Sequence, residues 1–403
     1  MDSIRDIYVI GNGPSSSHTI GPSKGTTYII NKYKDRGIKF INVYLYASFA
    51  LTGKGHLTDY IIDKRLNESN IDHEIIFDFK TEVNHPNTMR FIITFNDGST
   101  LEEDVVSIGG GTIKTIDSKD DKPQEVYKES KMADILSYCK ENNLSLYEYV
   151  LEHEGEDYID YLKTVLKTMD EAVNRGINTE GVLPGSLKVK RKAKGMLERV
   201  NSLKDDFSKT ELLVSISSFA VAEENANGGV VVTAPTCGSC GVIPGIISYL
   251  RLRKYSDDKI IEGLAVAALI GKLIKVNASV SGAVSGCQAE IGAASSMGAA
   301  LIMYVFGATN EKIEQAAEIA LEHSLGLTCD PIKGYVQIPC IERNSIFALK
   351  AINAANIALI IDKETNLISF DDIVDTMYRT GMDLHSGYKE TSIKGMSEIE
   401  RFK

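Results

Sequence analysis

Positive charge is in short supply: 44 lysines and arginines stand against 55 aspartates and glutamates, for a formal net charge of −11. Gripping nucleic acid or an anionic membrane surface needs clustered Lys and Arg, so no nucleic-acid or membrane partner is expected. The opening residues Met1-Asp2-Ser3-Ile4-Arg5-Asp6 lack the basic-then-apolar plan of a secretory signal. No apolar run is long enough to span a bilayer, because the stretches near residues 259–306 are broken by Lys272, Lys275, Gln288 and Glu290. A cytoplasmic protein with closely packed buried helices is expected. Internal repeats and low-complexity segments are also lacking. Cysteine is sparse, six residues in all, and in a reducing compartment such thiols serve packing, metal ligation or catalysis more often than disulfides.

What is present suits a folded two-domain chain that handles a small molecule: 403 residues, 43% hydrophobic and 25% charged. In the first part, IKFINVYLY, HEIIFDF, RFIITF and VVSIGG have the β-branched and aromatic content of strands. Asn96-Asp97-Gly98 supplies a hairpin turn between the last two. From about residue 131 the apolar spacing turns helical, in MADILSYCKENNLSLYEYVLEH and YIDYLKTVLKTMDEAVNRG, and the Ala/Gly/Ser-rich runs that follow let helix axes approach closely. The expected fold is an N-terminal α+β domain over residues 1–130, followed by a mostly all-α catalytic domain over 131–403. The charged, proline-bearing stretch Ser118–Pro123 is expected as a surface linker or loop.

Several motifs concentrate chemistry. Gly11–Ser23 packs serines, Thr19 and His18 between glycines and prolines, which suits either a carboxylate-binding loop or a Ser-rich helix cap. Leu51–Asp59 holds Gly53-Lys54-Gly55 without the Walker spacing, and its His56, like His18, can exchange protons near neutral pH. In VVVTAPTCGSCGVIPGIISYL a strand-like run, a turn and a helix follow one another. Cys237 and Cys240 in that turn lack both a thioredoxin-like context and a second Cys-x-x-Cys for zinc, so a substrate-lining turn is the better reading. Cys139 sits in an amphipathic run as a packing residue. Cys287 in SGCQAEIG, with Cys329 and Cys340 in LGLTCDPIKGYVQIPCIERN, each lie in a glycine- or proline-bearing polar segment. Singly each suits a buried thiol as well as a ligand. Together they look like ligands of a metal cluster with one iron left open to substrate.

These residues carry a resemblance to a known family. SSSHTIGPS, LTGKGHLTD and SIGGGTI resemble signatures of the β domain of the iron–sulfur-dependent L-serine dehydratases (L-serine ammonia-lyases). LPGSLKVKRKA, AEENANGGVVVTAPT, KVNASVSGAVSGCQAEIG, the double-cysteine segment and YKETSIKG resemble those of its α domain, in the family's order. The resemblance covers nearly the whole chain in its single-chain, fused form. It implies a [4Fe–4S] cluster on Cys287, Cys329 and Cys340, faced across the domain interface by the serine/histidine loop. It further implies an oxygen-sensitive, pyridoxal-phosphate-independent lyase of amino-acid catabolism and gluconeogenesis, in which a protein base removes the α-proton of serine while the open iron assists loss of the β-hydroxyl. His56 or His18 is the expected base. Ser16, Ser17 and Thr19 are expected at the substrate carboxylate, with Thr236, Lys275, Asn277 and Ser279 lining the other side. The partner is a small amino acid, and assembly as a homo-oligomer, a dimer, follows from the family alone.

Two departures accompany the resemblance. Cys237-Gly238-Ser239-Cys240-Gly241 stands where some members have Asn-Gly-Ala-Ala-Gly, which leaves an L-cysteine desulfidase as the rival enzyme. The sequence ends Ile399-Glu400-Arg401-Phe402-Lys403, without the terminal cysteine of some relatives, so self-inhibition by the tail is not expected, and no regulatory ACT domain is accommodated. A non-catalytic iron–sulfur sensor of amino acids would need an output domain, and none is legible.

Overall fold

The computed structural model describes residues 1–115, 124–200, 202–203, 206–362 and 365–402, and the expected linker Ser118–Pro123 lies outside them. Along the N-terminal part run β1 (Ile10–Asn12), α1 (Gly21–Tyr33), β2 (Ile38–Tyr46), α2 (Ala47–Thr52), α3 (Thr58–Glu68), β3 (Asp72–Asp78), β4 (Thr88–Phe95), β5 (Thr100–Gly109) and β6 (Thr112–Lys114). Five of these strands form one sheet in the order β3-β2-β4-β5-β6, with β2 and β3 parallel and the other pairs antiparallel. The parallel pair is joined through α2 and α3, the crossover that two parallel strands require. Alternation does the sorting: Ile41, Val43 and Leu45 on β2 face Ile93, Phe91 and Met89 on β4 in register. All six are buried, together with Ile29 of α1 and Ile61, Ile62 and Leu66 of α3, which cover that face. Asn96–Gly98 makes the β4–β5 hairpin, with Gly98 at a φ of 84°.

The helical part comprises α4 (Met132–Asn142), α5 (Leu146–Glu154), α6 (Asp157–Asn178), α7 (Ala193–Val200), α8 (Asp206–Ala226), β7 (Val230–Val232), α9 (Val242–Leu252), α10 (Asp257–Asn277), α11 (Gly282–Ser285), α12 (Ile291–Val305), α13 (Asn310–Glu322), α14 (Cys340–Ile360) and α15 (Phe370–Asp383). Every residue of α12 is buried, and its alanines, glycines and serines let α9, α10, α13 and α14 pack around it. A methyl group at Gly298 would sit 2.1 Å from Ile246 of α9 and 3.3 Å from Ala351 of α14, which shows how close the axes run. Among the described residues no helix is long and apolar enough to cross a membrane.

The domain boundary differs from a single cut in the sequence. Ile4, Ile7 and Tyr8 lie in the core of the helical part, and β1 pairs antiparallel with β7 through Ile10–Val232, Gly11–Val231 and Asn12–Val230. Tyr127 belongs to that helical core too. The opening dozen residues are therefore structural members of the helical body, from which the chain crosses to the α+β domain. A buried Lys272 holds the crossing in place: its ammonium lies 2.9 Å from both Asp2 and Asp6, and Asp6 also takes Lys275 at 2.7 Å. Removing one partner of a buried pair costs more than the pair itself contributes. Asp6→Ala is expected to lower unfolding stability by about 2–4 kcal/mol, measured as a fall in the denaturant midpoint.

Candidate active site

The chain reaches the site through a short, fixed path. After β1, Gly13 donates its N–H to Gly229, and Asn225 of α8 donates to the Pro14 carbonyl at 2.9 Å, pinning the loop against the helical body. Ser15 then caps one turn of π-helix, Ser16–Ile20, by accepting the His18 N–H, and α1 follows. A π turn widens the helix and is often found at functional sites. The second histidine lies in the turn between α2 and α3. Two hydroxyls lock the pair of segments reciprocally: Thr19 donates to the His56 carbonyl at 2.7 Å and Thr58 to the His18 carbonyl at 2.6 Å.

The two imidazoles differ in their partners. His18 has both nitrogens engaged, Nδ1 with Ser17 at 2.9 Å and Nε2 with Ser48 and Thr52 at 3.0 and 3.1 Å. His56 is buried with neither ring nitrogen hydrogen-bonded; its Nε2 lies 4.0 Å from a carboxylate oxygen of Glu390, and its ring meets His18 edge-on at 4.6 Å. Burial lowers both, His56 to about 4, and at His18 the neighbouring imidazole adds to the fall. Both rings are neutral at physiological pH.

Across from them the helical part presents three thiols. Cys287 opens a tight turn that leads into α12, Cys340 is the first residue of α14, and Cys329 is held by bonds to the Tyr388 carbonyl and from the Glu390 N–H, both 2.8 Å. All three, with Pro14, Ser15, His56, Gly238, Glu290, Arg343 and Glu390, line one narrow interdomain cleft. The N-termini of α12 and α14 both open onto it, and their N–H groups favour negative charge. A hydrogen bond shared with Cys329, and the Arg343 guanidinium, bring the Cys287 thiol down to about 6 against the opposing effect of burial. The same shared bond, with burial, pushes Cys329 up, and burial raises Cys340. The Cys287–Cys329 pair thus releases its first proton easily.

Two buried carboxylates complete the wall. Glu290 accepts from Thr236 Oγ1 at 2.8 Å and lies 3.8 Å from the Cys329 sulfur. Burial, then Glu390 and Cys287, raise it, and burial with Cys287 raises Glu390 to about 7. Three thiols and two carboxylates thus share a cleft in which Arg343 is the one permanent cation among the described lining residues. Such a donor set suits a cationic thiophilic centre: sulfur ligands favour iron–sulfur clusters or zinc, and deprotonation of three thiols leaves more negative charge than Arg343 alone offsets.

The residues expected from the sequence are placed as follows. Cys287, Cys329, Cys340 and His56 meet in the cleft, and His18 stands directly behind His56. Ser16, Ser17 and Thr19 are buried beside the histidines, yet Ser15 is the loop residue that lines the cleft. Thr236 reaches it through Glu290. Lys275 is engaged by Asp6, Asn277 bonds the Ser130 and Leu273 carbonyls, and Ser279 accepts from the Ser281 N–H; none of the three lines the cleft. The Cys237–Cys240 turn contributes Gly238, while both thiols are buried in an apolar cluster with Ile20, Val221 and Val231 and are raised by burial. Glu290, Arg343 and Glu390 escaped the sequence reading, although Glu290 and Arg343 each follow a cysteine by three residues, one helical turn.

Comparison with known proteins identifies the family. Residues 117–397 match the serine dehydratase alpha chain family and residues 3–68 the serine dehydratase beta chain family. The chain belongs to the serine dehydratase family, with both parts fused. Among its relatives, L-serine dehydratase 2 of Escherichia coli (strain K12) is 39% identical over 98% of both chains. An L-serine dehydratase of Haemophilus influenzae is 38% identical over 98% of this chain and 99% of its own. One of Mycobacterium bovis is 37% identical over 98% and 97%. The first of these alignments runs to 451 positions against 403 residues here, so that relative carries internal segments this chain lacks.

The buried imidazole sets a pH dependence. An unfolded histidine titrates near ~6.5 and folded His56 near 4, so within that window the unfolded chain binds a proton that the folded chain refuses. Stability contributed by neutral His56 is complete above the unfolded value and is lost as pH falls. Relative to His56→Asn, the wild type is expected to lose up to ~1.4 kcal/mol per pH unit on acidification through this window, read from urea midpoints of both proteins across it.

Proposed function

We propose that this chain deaminates L-serine to pyruvate and ammonia, using a [4Fe–4S] cluster held by Cys287, Cys329 and Cys340. The convergence of those three thiols with a free, buried imidazole in one interdomain cleft carries the reading, and the names of relatives aligned over 98% of the chain support the substrate. Such a cluster, bound through three thiolates, supplies an iron with an open position that acts as a Lewis acid toward oxygen ligands.

The protein's own groups do the rest. His56 takes the α-proton at Nε2, the nitrogen nearer Glu390, which then stabilises the imidazolium. His18, fastened by Ser17, Ser48 and Thr52, keeps the His56 ring at its angle. The Ser15 hydroxyl and Arg343 guanidinium offer donors to the substrate carboxylate, and Ser16, Ser17 and Thr19 shape that loop from behind. The α-proton and the β-hydroxide leave as water; the aminoacrylate tautomerises to an imine, and water converts this to pyruvate and ammonia. No lysine is found among the described residues lining the cleft, so none stands ready for the internal Schiff base of pyridoxal phosphate. The desulfidase reading rested on Cys237 at the pocket, and that thiol is packed among apolar side chains.

Anaerobically purified protein is expected to be brown and to turn over L-serine in preference to releasing sulfide from L-cysteine. Cys329→Ser removes both the visible absorbance and the activity, while Cys139→Ser retains both; a colourless, metal-free protein with full activity overturns the proposal. His56→Asn is expected to keep the absorbance and lose about 10²–10⁴-fold in kcat, checked by steady-state pyruvate formation.

A further inference from the structure

A second, smaller cleft adjoins the first: Pro14 and Val336 line both. Its walls come from both domains. Lys54 and Gly55 belong to the α2–α3 turn, Pro184 and Gly185 to the segment before α7, and Tyr335–Gln337 to the loop that leads into Cys340. The walls are pinned together: Gln337 Nε2 donates to the Pro184 carbonyl at 2.7 Å, and the Tyr335 hydroxyl accepts the Ser186 N–H at 3.3 Å. Gly185, at a φ of 98°, lies against the Tyr335 ring, where an added methyl would stand 2.4 Å away.

Two features of this outer cleft point to a ligand. Lys54 is the one charged side chain among the described residues lining it, and it has no hydrogen-bond or ion-pair partner among them; its ammonium lies 5.2 Å from the Phe77 ring centroid. Gln337 is 3% exposed, and with its amide nitrogen committed to Pro184 its Oε1 is a buried acceptor without a partner. A buried acceptor left unpaired is costly. A cation and an unpaired acceptor in one small cleft match the two ends of an α-amino acid zwitterion, the carboxylate for Lys54 and the α-ammonium for Gln337 Oε1.

We infer that the outer cleft is an amino-acid-binding subsite through which substrate reaches the thiol-lined cleft, with Lys54 and Gln337 recognising the groups common to all α-amino acids. The inference rests on the proposed function for the identity of the substrate, but not for the zwitterion chemistry. The subsite admits the amino acid by its α-ammonium and α-carboxylate, and the inner cleft then receives the carboxylate at Ser15 and Arg343 for reaction.

The test uses full-length holoprotein prepared without oxygen, with visible absorbance and the thermal midpoint checking that each variant is intact. L-serine kinetics of wild type, Lys54→Glu and Gln337→Leu are measured over a salt series. L-alanine, which has no β-leaving group, is titrated into each by calorimetry. Lys54→Glu is expected to lower kcat/KM about tenfold with kcat within about twofold and to abolish the salt dependence of kcat/KM. Gln337→Leu and Lys54→Glu are each expected to weaken L-alanine binding about tenfold. Wild-type kcat/KM, salt dependence and L-alanine affinity in Lys54→Glu overturn the subsite, and because Lys54 is exposed that variant decides even if Gln337→Leu misfolds. Wild-type protein without serine turnover overturns the proposed function instead. The L-alanine titration then decides the subsite alone, equal affinities overturning it and a tenfold loss supporting it.

Discussion

The site depends on one short strand pairing. Because Ile10–Asn12 adds to Val230–Val232 inside the helical body, the residues that follow, Pro14 to His18, emerge on the rim of the thiol-lined cleft. The Asn225–Pro14 bond and the Asp6–Lys272 pair fix the departure angle on either side of that pairing. Two independently packed cores, the sheet with its covering helices and the larger helical cluster, therefore meet in a geometry set by the chain's own covalent path.

Within the cleft the electrostatics are arranged around excess acid. Cys287, Cys329, Cys340, Glu290 and Glu390 crowd one Arg343; the rise of Glu290 follows from burial beside Glu390 and Cys287, and that of Glu390 from burial beside Cys287. The imidazole of His56 stands opposite, neutral because it too is buried. The two domains contribute different groups: the α+β part brings neutral imidazoles and hydroxyls, and the helical part brings thiols and carboxylates.

Much of this was legible in the sequence, for identifiable reasons. β-branched and aromatic content located β2 to β5, because such side chains suit strands that bury one face of a sheet. The Ala/Gly/Ser runs announced α10 and α12. The cysteine trio stood out through its glycine and proline neighbours. Allegiances made by distant contacts were not legible. Nothing local says that Ile4 and Tyr8 join the helical core, or that Lys275 turns to Asp6 rather than to the cleft. Ser16 and Ser17 were singled out over Ser15 because hydroxyl content, not direction, is what a sequence displays, and the π turn decides which hydroxyl faces inward. Glu390 lies some fifty residues beyond the last cysteine and enters only because Cys329 bonds to the backbone on both sides of Lys389.

Cys340 begins α14, Cys287 sits just ahead of α12, and the two helices are brought together where Gly298 approaches Ala351. The separation of two sulfurs is thereby gauged by the thickness of a glycine–alanine contact well inside the protein, more than two helical turns from either thiol. A single surplus methyl on Gly298 would meet Ile246 of α9 at 2.1 Å and press Ala351 of α14 at 3.3 Å, displacing the beam that carries Cys287 with every thiol intact. The mutual placement of these thiols is thus as much a property of packing deep in the core as of the residues that line the cleft.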